Sequence, residues 1–106
     1  MKRILFLATL GAMFAATAIP APAATRGVSL RDNFFRPASL TVRKGDTVRF
    51  RWRGNDFHNV TVTRGPRRFH SRTKARGSYR KRMTRRGTYR LVCTLHSGMR
   101  MRLRVR

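Results

Sequence analysis

Acidic residues are nearly absent. Asp32, Asp46 and Asp56 stand against 26 lysines and arginines, a formal net charge of +23 over 106 residues. So few carboxylates leave no paired acid and base, and no Ser-His-Asp arrangement is evident, which speaks against a hydrolase and for a protein that is not an enzyme. Cysteine is reduced to Cys93 alone, so no intrachain disulfide can form. A membrane-spanning run is missing too. The uncharged, mostly apolar stretch Ile4 to Ile19 is diluted by Ala, Gly and Thr and falls short of the about 20 apolar residues that a spanning helix needs. Helical periodicity is lacking from Arg26 onward, and no helix-turn-helix, zinc-finger or RRM pattern is present.

What the N-terminus does contain is a basic start, Met1-Lys2-Arg3, then the apolar stretch, then the small residues Ala21-Pro22-Ala23. That layout predicts a secretory signal peptide over residues 1–23 and a mature domain over 24–106, exported to the periplasm or the extracellular space. Removing 23 of the 106 residues would leave 83, small but enough for one domain. Lys2 and Arg3 would leave with the signal, taking the net charge from +23 to +21. So basic a surface attracts polyanions. For an exported chain these are an acidic protein or polysaccharide or an anionic membrane surface, with no specific nucleic acid. The blander reading is that arginine simply fills the solvent face. Cysteines in an oxidising compartment usually pair. An unpaired one is a reactive thiol, an intermolecular link or a metal ligand.

After the signal the apolar period is two. Val48, Phe50 and Trp52 alternate with Arg49, Arg51 and Arg53, and Met101, Leu103 and Val105 alternate with Arg102, Arg104 and Arg106. Shorter alternating pieces fall at Val28–Leu30, Phe34–Arg36, Leu40–Val42, His58–Val62, Gly77–Thr84 and Thr88–Cys93. Turn signals separate them, including Asp32-Asn33, Lys44-Gly45-Asp46 and Gly54-Asn55-Asp56. The pattern predicts an all-β, Greek-key sandwich of seven to eight strands. Lys81 shares the inward parity of Tyr79 and Met83, a local conflict with burial. Arg64 to Arg76 lacks sustained alternation and reads as a long solvated loop, with His70 a surface residue. Gly87-Thr88-Tyr89 suggests a tyrosine corner.

One stretch carries chemistry: Cys93-Thr94-Leu95-His96-Ser97-Gly98-Met99. A thiolate, an imidazole and a thioether form a soft to borderline ligand set that suits copper better than magnesium or calcium. A trigonal blue-copper site needs one Cys, two His and a weak axial Met. The loop lacks one histidine, and His58, at a strand start with the inward parity of Val60 and Val62, can supply it. Singly, each residue has a structural explanation. Cysteine is often buried, an inward histidine is often a hydrogen-bonded core residue, and methionine fills gaps.

From Val28 to Val105 the chain resembles the cupredoxins, small blue copper proteins of the plastocyanin, amicyanin and pseudoazurin type. The likeness lies in Phe35-Arg36-Pro37, in Val42-Arg43-Lys44-Gly45-Asp46-Thr47-Val48, in His58-Asn59-Val60 and above all in Gly87 to Met99. The resemblance implies one type 1 copper per chain and one-electron transfer with a redox partner protein, here one with an acidic surface, by a monomer. It implies His58 and His96 as imidazole ligands, Cys93 as the thiolate and Met99 as the axial thioether. Met101 fits the longer plastocyanin spacing, but its parity with Leu103 and Val105 explains it as core. The resemblance also implies that Asn59 tethers the ligand loop and contacts the thiolate through its backbone. Electrons would pass the exposed edge of His96, framed by Leu95, Gly98 and Met99. Two other readings stay open: a copper-binding or delivery protein without redox turnover, and a basic polyanion-binding sandwich.

Overall fold

The computed structural model describes Ile19 and residues 21–106; apart from Ile19 and residues 21–23, the expected signal peptide lies outside the described residues. Eight strands form: β1 (Thr25–Arg31), β2 (Phe34–Arg36), β3 (Ser39–Val42), β4 (Thr47–Trp52), β5 (Thr61–Arg64), β6 (Ser78–Arg82), β7 (Gly87–Val92) and β8 (Arg100–Val105). They make two four-stranded sheets, in the orders β2-β1-β4-β6 and β3-β8-β7-β5. The chain passes from one sheet to the other at each connection from β2 through β7, and the inner faces close on one core.

Alternation decides what each face does. Along β4 and β8 every second residue is buried, and the intervening arginines of β8 point to water. Leu30, Phe50, Tyr89, Leu91 and Leu103 are all within 1 % of complete burial. Each large apolar side chain so enclosed stabilises the fold by about 1.5–3 kcal/mol. The outward rows bring like charges together. Arg90 lies directly opposite Arg64 on one side and Arg102 on the other, and Arg49 lies opposite Arg80. Among the described residues no arginine or lysine forms a salt bridge.

Two pairings are parallel, β1 with β4 and β3 with β8. The first sets Leu30 beside Trp52, and the Arg53 N–H donates to the Leu30 carbonyl at 2.8 Å. The Asp32-Asn33 turn after β1 is therefore held next to the loop after β4. The tyrosine corner is present: Tyr89 Oη donates to the Arg85 carbonyl at 2.7 Å. Near the start of the domain, the buried Asp46 carboxylate accepts the N–H groups of Ala24 and Arg43, both at 2.9 Å.

Two local expectations change. His58 does not open a regular strand; it forms an isolated bridge with Lys74, and β5 begins only at Thr61. The segment after β5 is not simply solvated, because it folds back along residues 58–62. Val62 N–H donates to Phe69 O at 3.0 Å and Ser71 N–H to Val60 O at 2.8 Å. Phe69 enters the core between the rings of Tyr79 and Tyr89. Arg67, Arg68, Arg72 and Arg76 stay exposed. Lys81 sits on β6, an edge strand, with Nζ 5.4 Å from the centre of the Phe69 ring. Its stem covers apolar surface while its charge faces an aromatic ring.

Candidate metal centre

The ends of β1, β4 and β7 and the start of β8 meet at one end of the sandwich. Cys93 follows β7 directly, and the chain turns back into β8 within seven residues. Three backbone hydrogen bonds close that loop: Cys93 N–H to Met99 O at 3.0 Å, His96 N–H to Cys93 O at 3.4 Å and Met99 N–H to His96 O at 3.2 Å. Gly98 takes φ of +83°, a conformation that glycine adopts without the steric penalty of a side chain.

The loop brings Cys93 and His96 to His58 across the core. The sulfur of Cys93 lies 3.5 Å from His96 Nδ1 and 3.9 Å from His58 Nδ1. One donor atom from each of the three residues lies within 4.8 Å of the others. First-row metal bonds of about 2.0 Å to nitrogen and about 2.3 Å to sulfur, spread trigonally, require a separation of about 3.7 Å. The two sulfur–nitrogen distances bracket that value, as donors to one shared ion would. His58 is fully buried, Cys93 is 3 % exposed and Met99 is 1 % exposed. His96 is the open member, with 23 % of its side chain exposed. Met101 sits in β8 opposite Leu91, in the core position that its parity predicts.

Asn59 ties the loop down through its side chain. Its Nδ2 donates to Thr73 Oγ1 at 2.9 Å and to Thr94 Oγ1 at 2.8 Å. Its Oδ1 accepts from Thr94 N–H at 3.2 Å and from Thr61 Oγ1 at 2.9 Å. The backbone contact to sulfur that the resemblance implies is not among the hydrogen bonds of the described residues. Trp52 Nε1–H donates to the His58 carbonyl at 3.1 Å, which fixes the backbone of that residue from the core side.

Two aspartates stand behind the imidazoles. Asp32 Oδ1 lies 2.8 Å from His58 Nε2, and Asp56 Oδ2 lies 4.0 Å from His96 Nε2. Hydrogen bonds hold the Asp32 carboxyl down to about 2, chiefly from the Asn55 N–H, then from His58 and the Asp56 N–H. Nothing in the linear sequence signals Asp32, which reads there only as a turn former. The surface around His96 also differs from expectation. Leu95 is 51 % exposed and Gly98 is exposed, but Met99 is enclosed and frames nothing. Phe57, 59 % exposed, comes from the loop that leads into His58.

A sequence model of copper-binding proteins of the plastocyanin/azurin family matches residues 24–106. A Cu(I) structure of an amicyanin variant superposes with a TM-score of 0.69 at 27 % identity, covering 88 % of this chain and 90 % of that one. A copper-containing nitrite reductase from Thermus scotoductus SA-01 superposes with a TM-score of 0.66 at 28 % identity over 90 % of this chain, which spans only 24 % of that enzyme's chain. A purple cupredoxin from Nitrosopumilus maritimus has the same fold, with a TM-score of 0.68 at 16 % identity, covering 76 % of this chain and 99 % of that one. No curated protein sequence matches the chain.

Proposed function

The chain belongs to the plastocyanin/azurin family of copper-binding proteins, and from that premise we propose that it carries single electrons between redox partners. One type 1 copper would be held by His58 Nδ1, Cys93 Sγ and His96 Nδ1 together with the Met99 thioether. The observation that carries this reading is the convergence of three soft to borderline donors on one small space, two of them buried.

Copper supplies the one-electron Cu(II)/Cu(I) couple. The chain supplies a donor set that changes little when the charge changes. The three bonds within the Cys93–Met99 loop and the four to Asn59 fix where the sulfur and the His96 ring sit. Burial of His58 and Cys93 excludes water from the sulfur. The partly exposed edge of His96 is the route for electrons, with the exposed Leu95 beside it in the chain as an apolar neighbour for docking.

Export as a monomer after removal of residues 1–23 is part of the same reading, as is a periplasmic or extracellular place of work. The redox partner presents acidic surface, because the described basic side chains carry no neutralising partner. A copper-delivery role calls for an open site that exchanges metal readily, and the enclosure of His58, Cys93 and Met99 favours a resident ion instead. The test is to add Cu(II) to the purified protein and record its visible and EPR spectra. One equivalent should give an intense blue thiolate charge-transfer band, and Cys93→Ser should abolish it. A colourless Cu(II) complex of the wild type would overturn the assignment.

A further inference from the structure

We propose that Asp32 is a positioning residue for this site. Its carboxylate holds the His58 imidazole as the tautomer with its proton on Nε2, keeps Nδ1 free toward Cys93, and lowers the reduction potential by favouring the more highly charged ion. This rests on the copper reading given above, but the residues that carry it lie behind the donors and outside the ligand set.

Four observations lead there. First, the carboxylate is fixed independently of the histidine. Oδ2 accepts the Asn55 N–H at 2.7 Å and Oδ1 accepts the Asp56 N–H at 3.1 Å. With two backbone donors holding it, the 2.8 Å approach of Oδ1 to His58 Nε2 is a set distance. Second, the chain leaves room for it. A Cβ built on Gly54 would overlap the Asp32 carboxyl group, so glycine at that position is what admits the carboxylate. Third, His58 is fully buried, and its Nε2–H would otherwise be a buried donor without a partner. Fourth, the chain has three carboxylates against 26 basic side chains, yet Asp32 makes no salt bridge to a lysine or arginine among the described residues. Its charge is directed at the imidazole.

The chemistry follows from proton placement. An ionised carboxylate can only accept, so the shared proton sits on Nε2 and Nδ1 keeps its lone pair. An imidazole that donates to a carboxylate is a stronger base toward a metal, and loss of such a partner typically costs about 10- to 100-fold in metal affinity. The gain is larger for Cu(II) than for Cu(I), because the added negative charge acts on the higher ionic charge. Each tenfold of that difference corresponds to about 59 mV in a one-electron couple. A purely structural Asp32 would only cap the Gly54–Asp56 loop and would leave the potential alone.

The experiment compares wild type, Asp32→Asn and Gly54→Ala in three measurements. These are the His58 nitrogen chemical shifts in the metal-free protein, competitive Cu(II) and Cu(I) affinities, and thermal unfolding. Asparagine removes the charge and keeps one acceptor oxygen, enough for only one of the two backbone N–H groups; alanine keeps the charge but displaces it. Wild type should show a single tautomer protonated at Nε2, and both variants a mixture. Cu(II) affinity should fall about tenfold or more in each variant, with a smaller loss for Cu(I), so that the potential rises. Should either variant fail to fold, the other decides. Variants that melt lower but keep the wild-type tautomer and the wild-type ratio of affinities overturn the proposal. If the wild type itself takes up no Cu(II), it is the copper reading that has failed, and the shifts of the metal-free protein still decide whether Asp32 sets the His58 tautomer.

Discussion

Replacing Asn59 by alanine should loosen the domain and the ligand loop together. The side chain is 5 % exposed and makes four hydrogen bonds, to Thr61, Thr73 and twice to Thr94. At a net value of about 0.5–1.5 kcal/mol each, the four contribute about 2–6 kcal/mol. Thr73 and Thr94 are exposed, so water can replace their lost partner, and the cost moves to the lower part of that range, about 2–3 kcal/mol. For a domain of this size each kcal/mol shifts the melting temperature by about 4–8 °C, which gives a fall on the order of 10–20 °C. The assay is thermal unfolding of the metal-free protein followed by circular dichroism, repeated in a double-mutant cycle with Thr94→Val. The two substitutions should be coupled, since they share the Nδ2–Oγ1 bond. A loss below about 0.5 kcal/mol, or a cycle additive to within about 0.3 kcal/mol, would refute the tether.

Other expectations are as direct. Met99→Gln should shift the visible spectrum and the potential, whereas Met101→Leu, a volume-conserving change, should cost less than about 1.5 kcal/mol and leave the spectrum alone; equal spectral effects would reverse the assignment. Asp46 has its carboxyl held below the usual 3.8 by the Ala24 N–H first and the Arg43 N–H second. Its stabilising effect is therefore complete above the unfolded value near pH 4 and is lost as pH falls through the lower folded value. Asp46→Asn should flatten that part of the acid decline, measured as urea midpoints between about pH 5 and pH 2. Association with an acidic redox partner should slow as the Debye length shrinks from about 30 Å at 0.01 M salt to about 10 Å at 0.1 M. Replacing the exposed Arg67, Arg68 and Arg72 by serine should flatten that dependence with the spectrum unchanged, and a rate independent of salt would remove any steering role.

Features set by local pattern were legible in the sequence. The strict alternation of β4 and β8 shows their buried faces, and the spacing of Cys93, His96 and Met99 shows a single loop. His58 was reachable by parity, although it sits in a lone bridge and not in a strand. Features set by register across the fold were not legible. The approach of Asp32 to His58 depends on the parallel pairing of β1 with β4, and Gly54 looks like any turn glycine until the carboxylate beside it is placed. The return segment was missed because Phe69 is a lone apolar residue among arginines, and because Ser71 is buried through hydrogen bonds and not through hydrophobicity. Lys81 broke the inward pattern of β6 for a reason that pattern cannot show, namely that β6 is a sheet edge and the Phe69 ring lies beneath the ammonium group.

The bond from Ala24 to Asp46 changes character if the leader is removed after Ala23. In the precursor, Ala24 offers an ordinary amide hydrogen to the carboxylate, at 2.9 Å. Once cleaved, the same nitrogen is a free ammonium, and a hydrogen bond from a neutral donor becomes an ion pair at the end of the chain. The newly made terminus would then fasten itself to the loop before β4. The processed protein would be harder to unfold than its precursor, so that maturation itself tightens the domain. A chain beginning at Ala24 should accordingly melt above one carrying a single extra alanine in front of it, and the difference should vanish in Asp46→Asn.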